Sequence, residues 1–561
     1  MVTFDFSKEN YMRTNLSSAL LKIHRLIMTD KRDAGSVYFF AIAGGLISLS
    51  LPLGIQTIIS FVMAARLSTS IVILIAIVII GVFLNGLMQV RQIQVIERIR
   101  QKIFTRYSLE FSHRLPNISP QQMDDYYLPE VVNRFFDIPA LAKSIEKIML
   151  DIPASVIQIL FGLIILSFYH PVFIAFGAFV FFVLIIIITI TSPKGFETNL
   201  ISSNYKYETA GWLEEMARGI KTFKYSKGAL LHMKKTDALI GNYLNSRTAH
   251  FKILTLQFWS LIVFKILIVS SMLIAGTWLL LNQQINVGQF IAADIIIILI
   301  ISSVEKLISS LDAVYDSLSS IEKLSKIIDS KIEESGNLGF EKINGSNIAF
   351  NGVGFVYPNG SVALKGINFA APKNTIVCFK GDSGSGRSTI LRLLTGAYTG
   401  FTGNILLNDI PINNYSLKDL RLNTGTLLAD QDIFRGSILE NLTMGNEKIT
   451  ISEVTYLAEK TGLSDFIASE EKGYDTILDP TGKRISKHIK QKIKLIRALA
   501  GKPILLLLED PLIDLSQTEK INVINYLKNE SNATIILISN DVTMHNFCDE
   551  VYHLNEGTIS I

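Results

Sequence analysis

Thiols are nearly missing from this chain. Its 561 residues include two cysteines, Cys378 and Cys548, which lie far apart and match no metal-binding or redox spacing. That argues against a disulfide framework or a zinc finger, and two buried, reduced thiols are expected. Charge is scarce too: Asp, Glu, Lys and Arg make up 18% of the residues, and the formal net charge is +4. So slight an imbalance says little about partners, and nucleic acid is not expected among them. The N-terminus mixes charges before any apolar run and shows no signal-peptide pattern. What abounds is apolar: 49% of residues are hydrophobic and the mean hydropathy is +0.36. A soluble chain of this length rarely runs so apolar, so membrane segments and more than one domain are expected.

The apolar runs crowd into the first 311 residues. Six stretches reach about 20 residues, enough to cross a bilayer: 36–63, 70–92, 149–168, 171–192, 256–281 and 287–311. They form three close pairs with short links, at 64–69, 168–170 and 281–286. The links between pairs, 93–148 and 193–255, are long and charged. The first carries Arg98, Arg100, Lys102, Arg106, Arg114, Arg134, Lys143 and Lys147; the second carries Lys194, Lys206, Arg218, Lys221 and Lys224. Among the short links only Arg66 stands out, so the positive-inside rule places both ends and both long links in the cytoplasm. The long links keep helical periodicity, which predicts helices continuing well beyond the bilayer.

Residues 15–28 read as an amphipathic helix, either lying on the membrane surface or simply solvated. Lys265 and Asp294 fall inside the fifth and sixth spans, where charge is costly and usually faces a bundle interior. They pair with each other or line a substrate path, or else Lys265 snorkels. Residues 330–346 are polar and glycine-rich, and read as a linker. From about 347 a soluble α/β pattern begins. The domains read as an N-terminal cytoplasmic or interfacial helix (1–35), a six-helix membrane domain (36–325), a linker (326–346) and an α/β P-loop NTPase domain (347–561).

The run Thr375–Lys380 reads as a buried strand. Gly381, Asp382, Ser383, Gly384, Ser385, Gly386, Arg387, Ser388 and Thr389 follow it, fitting G-x-x-x-x-G-K-[ST] with arginine for lysine, and a helix comes next. Strand, glycine loop and helix form the setting in which backbone N–H groups cradle nucleotide phosphates. A second strand, Pro503–Leu508, ends in Glu509 and Asp510, the pattern that supplies a Mg²⁺-contacting carboxylate.

Motif order across nearly the whole chain resembles an ABC exporter of the half-transporter kind, six spans fused to one ATP-binding cassette. Tyr357 matches the aromatic that stacks on adenine. Phe434-Arg-Gly-Ser-Ile-Leu-Glu-Asn-Leu442 resembles the exporters' Phe-Ser-Gly-Thr-Ile-Arg-Glu-Asn-Ile. Gly473–Thr476 and Gly482 resemble the run before the signature loop. Pro129–Asp137 and Leu213–Lys224 resemble the first and second intracellular loops. Bacterial toxin and peptide secretion exporters look most similar, and the peptidase domain that some of those carry is not expected before the first span. The resemblance implies ATP and Mg²⁺ as cofactors and a second half-transporter, the bilayer and an exported substrate as partners. It also implies a bacterial cytoplasmic membrane location with the cassette inside.

The chain departs from that family at the reacting end. Ile485-Ser486-Lys487-His488-Ile489 stands where the family has Leu-Ser-Gly-Gly-Gln, so side chains occupy positions where backbone must approach the partner's γ-phosphate closely. The acid pair is Glu509 then Asp510 rather than Asp then Glu. Asp510 is one methylene too short for the water-polarising glutamate, and a misplaced general base costs on the order of 10²–10⁴ in rate. Asn540 stands for the switch histidine and cannot carry a proton. Ala429 stands for the glutamine that couples Mg²⁺ to the membrane domain, with Gln431 a substitute only if the loop shifts. Ser516 stands for an aspartate. The catalytic candidates are thus Asp510 and Asn540, both degenerate, and the Mg²⁺ candidates are Ser388, Glu509 and Gln431. Three readings follow: a working exporter half, a hydrolysis-deficient half that relies on an intact partner, and a nucleotide-reading membrane scaffold.

Overall fold

The computed structural model describes residues 16–63, 69–120, 128–228, 230–340, 345–479 and 485–560. The link at 64–68 with Arg66, the first fifteen residues, Gly482 and the side chains of Pro129 and Glu130 lie outside that description. The chain divides into two compact units, Met1–Pro116 with Tyr126–Ser330, and Asn117–Asp125 with Lys331–Ile561.

The first unit is all helix. After α1 (Leu16–Met28) come α2 (Lys31–Ser48), α3 (Ser50–Met63), α4 (Thr69–Arg114), α5 (Asp137–Tyr169), α6 (Val172–Arg218), α7 (Leu231–Leu281) and α8 (Val287–Ile328). Six helical segments among the described residues are long and apolar enough to cross a membrane, with α2 and α3 forming the first. At 51 residues, α7 is roughly 75 Å long, more than twice a bilayer core. The predicted extension of the helices beyond the bilayer is thus present. The expected first span, 36–63, is broken at Leu49, whose N–H turns back to Leu46. Pro52 explains the break: it has no N–H for the carbonyl four residues earlier, that of Ser48.

Helix packing inside this unit is pinned by buried polar groups. Gln257 of α7 donates from Nε2 to Thr191 Oγ1 and to the Tyr315 hydroxyl, both at 2.8 Å. Tyr315 in turn donates to Ser192 at 3.3 Å, joining α6, α7 and α8. Lys265 meets Glu305 at 2.6 Å rather than Asp294. The hairpin explains this choice: Lys265 and Glu305 lie at similar depths from the α7–α8 turn, while Asp294 lies much nearer to it.

The second unit is α/β. A four-stranded antiparallel sheet has the order β2-β1-β4-β5, with β1 Ile348–Val356, β2 Val362–Ala371, β4 Thr402–Leu407 and β5 Ile410–Pro411. A six-stranded sheet has the order β10-β9-β3-β8-β7-β6. Its strands are β3 Ile376–Gly381, β6 Thr424–Leu427, β7 Leu505–Glu509, β8 Thr534–Ile538, β9 Glu550–Asn555 and β10 Thr558–Ser560. Strands β6, β7, β8, β3 and β9 pair in parallel. Both faces of such a sheet are covered, and Cys378, Leu505–Leu508 and Ile535–Leu537 are accordingly buried. Helices α9 (Arg387–Leu394), α10 (Lys487–Leu499) and α11 (Gln517–Asn529) belong to this unit.

Candidate functional site

Ligands of open parallel sheets bind beyond the carboxyl ends of the strands, and the register of the six-stranded sheet decides what gathers there. Ile538 pairs with Phe379 on one side and Glu509 on the other. Gly381 and Asn540, each two residues past that row, therefore come level, and Glu509 stands beside them.

The loop from Gly381 to Gly386 needs its glycines. Gly381, Gly384 and Gly386 have φ of 149°, 85° and 100°. A Cβ on Gly381 would lie 2.2 Å from the Leu554 carbonyl oxygen, and one on Gly386 would lie 2.4 Å from that of Ala363. A Cβ on Gly384 would meet open space. The loop leads into the N-terminus of α9, and the buried Ser385 hydroxyl has no partner among the described residues. Orphaned polar hydrogen and helix N–H groups beside open space fit a polyphosphate.

Ser388 Oγ donates to Glu509 Oε1 at 2.5 Å, while Glu509 Oε2 accepts from the Ala429 backbone N–H at 2.9 Å. A hydroxyl and a carboxylate side by side are the hard oxygen donors that suit Mg²⁺. Gln431 does not join them: its Nε2 donates to Thr426 at 3.1 Å and its Oε1 accepts from the Leu428 N–H at 3.3 Å. The amide is spent inside its own loop, so the contact with Glu509 comes from the backbone at Ala429 instead.

Asn540 is also engaged. Its Oδ1 accepts from the Gly381 N–H at 3.1 Å and from Arg387 Nη1 at 3.0 Å, and its Nδ2 donates to the Gly381 carbonyl at 3.1 Å. Asp510 has φ of 43°, a left-handed conformation uncommon outside glycine, and its carbonyl accepts from Gln491. Burial pushes its carboxyl above the usual range; the Arg387 guanidinium opposes the rise and the Glu509 charge adds to it.

Tyr357 is half-buried, edge-on to Phe355 and Tyr398, with its hydroxyl 3.0 Å from Thr389. Its ring is thereby tied to the start of α9. Ser486 caps α10 by accepting from the Ile489 N–H, and His488 Nδ1 donates to the Asp514 carbonyl. No hydrogen bond among the described residues joins Ser486, Lys487 or His488 to the glycine loop. Sequence reasoning named Ser385 as part of the loop but missed the Ala429 N–H and Gln491. It also missed the capping box Ser516/Glu519, whose Ser-x-x-Glu spacing was visible. The cysteines, distant in sequence, interact side chain to side chain beneath the loop: the Cys548 thiol holds Cys378 below its ordinary value, and its own is pushed up.

Residues 36–304 match the family described as the ABC transporter transmembrane region, and residues 364–513 match the ABC transporter family. The chain is 27% identical over 286 residues to "Uncharacterized ABC transporter ATP-binding protein YknV" of Bacillus subtilis, covering 50% of this chain and 47% of that protein. It is 28% identical over 287 residues to "Alpha-hemolysin translocation ATP-binding protein HlyB" of Escherichia coli O6:H1, covering 51% and 40%. To "Iron-sulfur clusters transporter ABCB7, mitochondrial" of Oryzias latipes it is 32% identical over 216 residues, covering 38% and 29%. The matches thus span less than half the length of these relatives. A solved bacterial Atm1-family ABC exporter with ATP bound superposes with a TM-score of 0.83 over 95% of each chain at 19% identity, which speaks for the fold. Six apolar helices followed by a glycine-loop cassette, both matched by the family, make this chain a multi-pass membrane protein of the ABC transporter family, with an ATP-binding cassette and the fold of an ABC exporter half.

Proposed function

We propose that this chain is one half of an outward-moving exporter that holds ATP in the Gly381–Thr389 loop while a partner half with intact motifs performs most of the hydrolysis. One observation carries the reading: Arg387 and Asn540, which replace the family's phosphate-gripping lysine and switch histidine, are hydrogen-bonded to each other at 3.0 Å. Two groups that should face the γ-phosphate are engaged with one another.

In this reading Ser388 and Glu509 hold Mg²⁺, which shields phosphate charge when bound. Ser385 and the N–H groups at the start of α9 hold the phosphates, and Tyr357 stands beside the base. Ser486, Lys487 and His488 face the nucleotide of the opposite half. In a heterodimer, one site joins this chain's loop to the partner's signature. The other joins the partner's loop and acids to Ile485–Ile489. A homodimer would carry every departure in both sites. The positive-inside pattern supports a cytoplasmic side for both termini and the cassette, and the bacterial relatives support a bacterial inner membrane. The printed name of the hemolysin relative supports a peptide or toxin as substrate.

A self-sufficient ATPase is the second reading, favoured by the retained Ser388–Glu509 pair. Turnover of the purified chain in lipid, compared with Asp510→Asn and Arg387→Ala, separates the two. Nucleotide binding without turnover is expected. Robust turnover abolished by those substitutions would sink the proposal.

A further inference from the structure

We infer that Asn540 is a positioning residue of the glycine loop, and that its clamp makes the site a reader of the nucleoside diphosphate moiety, binding ADP and ATP alike. The inference rests on the nucleotide-binding reading above and specifies what that site recognises.

The geometry leaves little freedom in the side-chain assignment. Gly381 presents both its N–H and its C=O to the Asn540 amide, at 3.1 Å each. Only an oxygen can face the N–H and only an NH₂ can face the carbonyl, so the amide orientation is determined by the backbone. A histidine ring cannot reproduce this two-point contact, because its two nitrogens point in diverging directions. With Oδ1 also accepting from Arg387 Nη1 at 3.0 Å, both lone pairs of Oδ1 and one of the two Nδ2 hydrogens are used.

Two consequences follow. First, Gly381 is held at the point where the chain leaves β3, at a φ of 149° with the Leu554 carbonyl closing its other side. The start of the loop is thus braced from two strands. Second, the guanidinium of Arg387 is drawn toward the end of β8 by a neutral acceptor. The Asn540 amide, with one Nδ2 hydrogen left over, takes its orientation from Gly381 rather than from a terminal phosphate, and one arm of the arginine is engaged as well. The groups wholly unengaged and lying in the loop for an incoming phosphate chain are the N–H groups that follow Gly381 at the start of α9, and the Ser385 hydroxyl, which has no partner among the described residues. These lie within the loop itself, and none is dedicated to a third phosphate.

Calorimetric titration of the full-length chain in lipid nanodiscs with Mg-ATP and with Mg-ADP reads the ratio of the two dissociation constants. The expected ratio is near unity, within about threefold. A charge-assisted hydrogen bond to a terminal phosphate corresponds to about tenfold or more in affinity. Asn540→His, which gives up the two-point clamp and releases Arg387, is expected to move the ratio toward ATP by about that factor. Should that variant fail to fold, Arg387→Lys serves: it leaves the Asn540–Gly381 contacts in place and frees the charge, and the same shift toward ATP is expected. A wild-type preference for ATP of about tenfold that vanishes in Asn540→Ala would overturn the inference, because Asn540 would then be reading the third phosphate. Binding of neither nucleotide would overturn the nucleotide-binding reading itself. A change in folding alone would lower both affinities together and leave their ratio unmoved.

Discussion

The Lys492 ammonium, with its side chain 3% exposed, donates to Glu519 Oε1 at 2.5 Å and to the Gly462 carbonyl at 2.8 Å. This buried pair ties α10, the helix capped by Ser486, to α11, whose first turn Glu519 also caps.

Removing one partner leaves a buried charge without its counterpart, so Lys492→Ala or Glu519→Ala is expected to destabilise the protein by about 3 kcal/mol. The apolar double variant Lys492→Met/Glu519→Leu should lose less than either single change. Thermal unfolding of the detergent-solubilised chain measures all three. Equal loss in the double variant would show that the cap, rather than the ion pair, carries the effect.

Asp541 gives a signed pH prediction. Its side chain accepts from the Thr543 hydroxyl and N–H and meets Lys520 at 3.1 Å. The Thr543 bonds first, then Lys520, bring its carboxyl down to about 2. A lowered carboxyl stabilises the fold above its unfolded value and loses that contribution as pH falls through the folded one. Since the side chain is 32% exposed, about 1 kcal/mol is the appropriate scale. Asp541→Asn should therefore be less stable than the parent at pH 7, and the gap should close between about pH 4 and pH 2. Urea unfolding across that range reads it.

Two glycines of the loop should respond differently. Gly386→Ala places a Cβ against the Ala363 carbonyl at 2.4 Å with φ at 100°, so the loop must move. ATP affinity is expected to fall by more than tenfold. Gly384→Ala meets open space and costs only left-handed strain of about 1–2 kcal/mol. ATP titration of both variants tests the contrast, and equal losses would refute it.

In the membrane unit, Tyr315→Phe removes one of two acceptors of Gln257 and the donor to Ser192. Tyr315 is 1% exposed, so about 1–3 kcal/mol is expected. Gly195→Ala, whose Cβ would lie 2.6 Å from the Tyr315 ring, should destabilise the same helix contact through overpacking. A melting temperature unchanged in both variants would show that this network does not hold α6 to α8.

The sequence by itself determined the helices and the glycine loop, because both are local. An apolar run long enough to cross a bilayer is a one-dimensional property, and helical periodicity carried α4, α6 and α7 beyond it. The strand, glycine loop and helix around Gly381 are contiguous. The tertiary structure decided which distant groups meet, since parallel strands bring together residues more than a hundred positions apart through register alone. Ser388 found Glu509, Arg387 found Asn540 and Cys378 found Cys548 only once β3, β7, β8 and β9 were laid side by side. Hairpin depth sent Lys265 to Glu305 rather than Asp294. Gln431, two residues past the expected position, was lost to the site because its amide satisfies its own loop at Thr426 and Leu428. Whether a side chain is free for a ligand depends on which buried partners reach it first, and residue identity alone does not encode that.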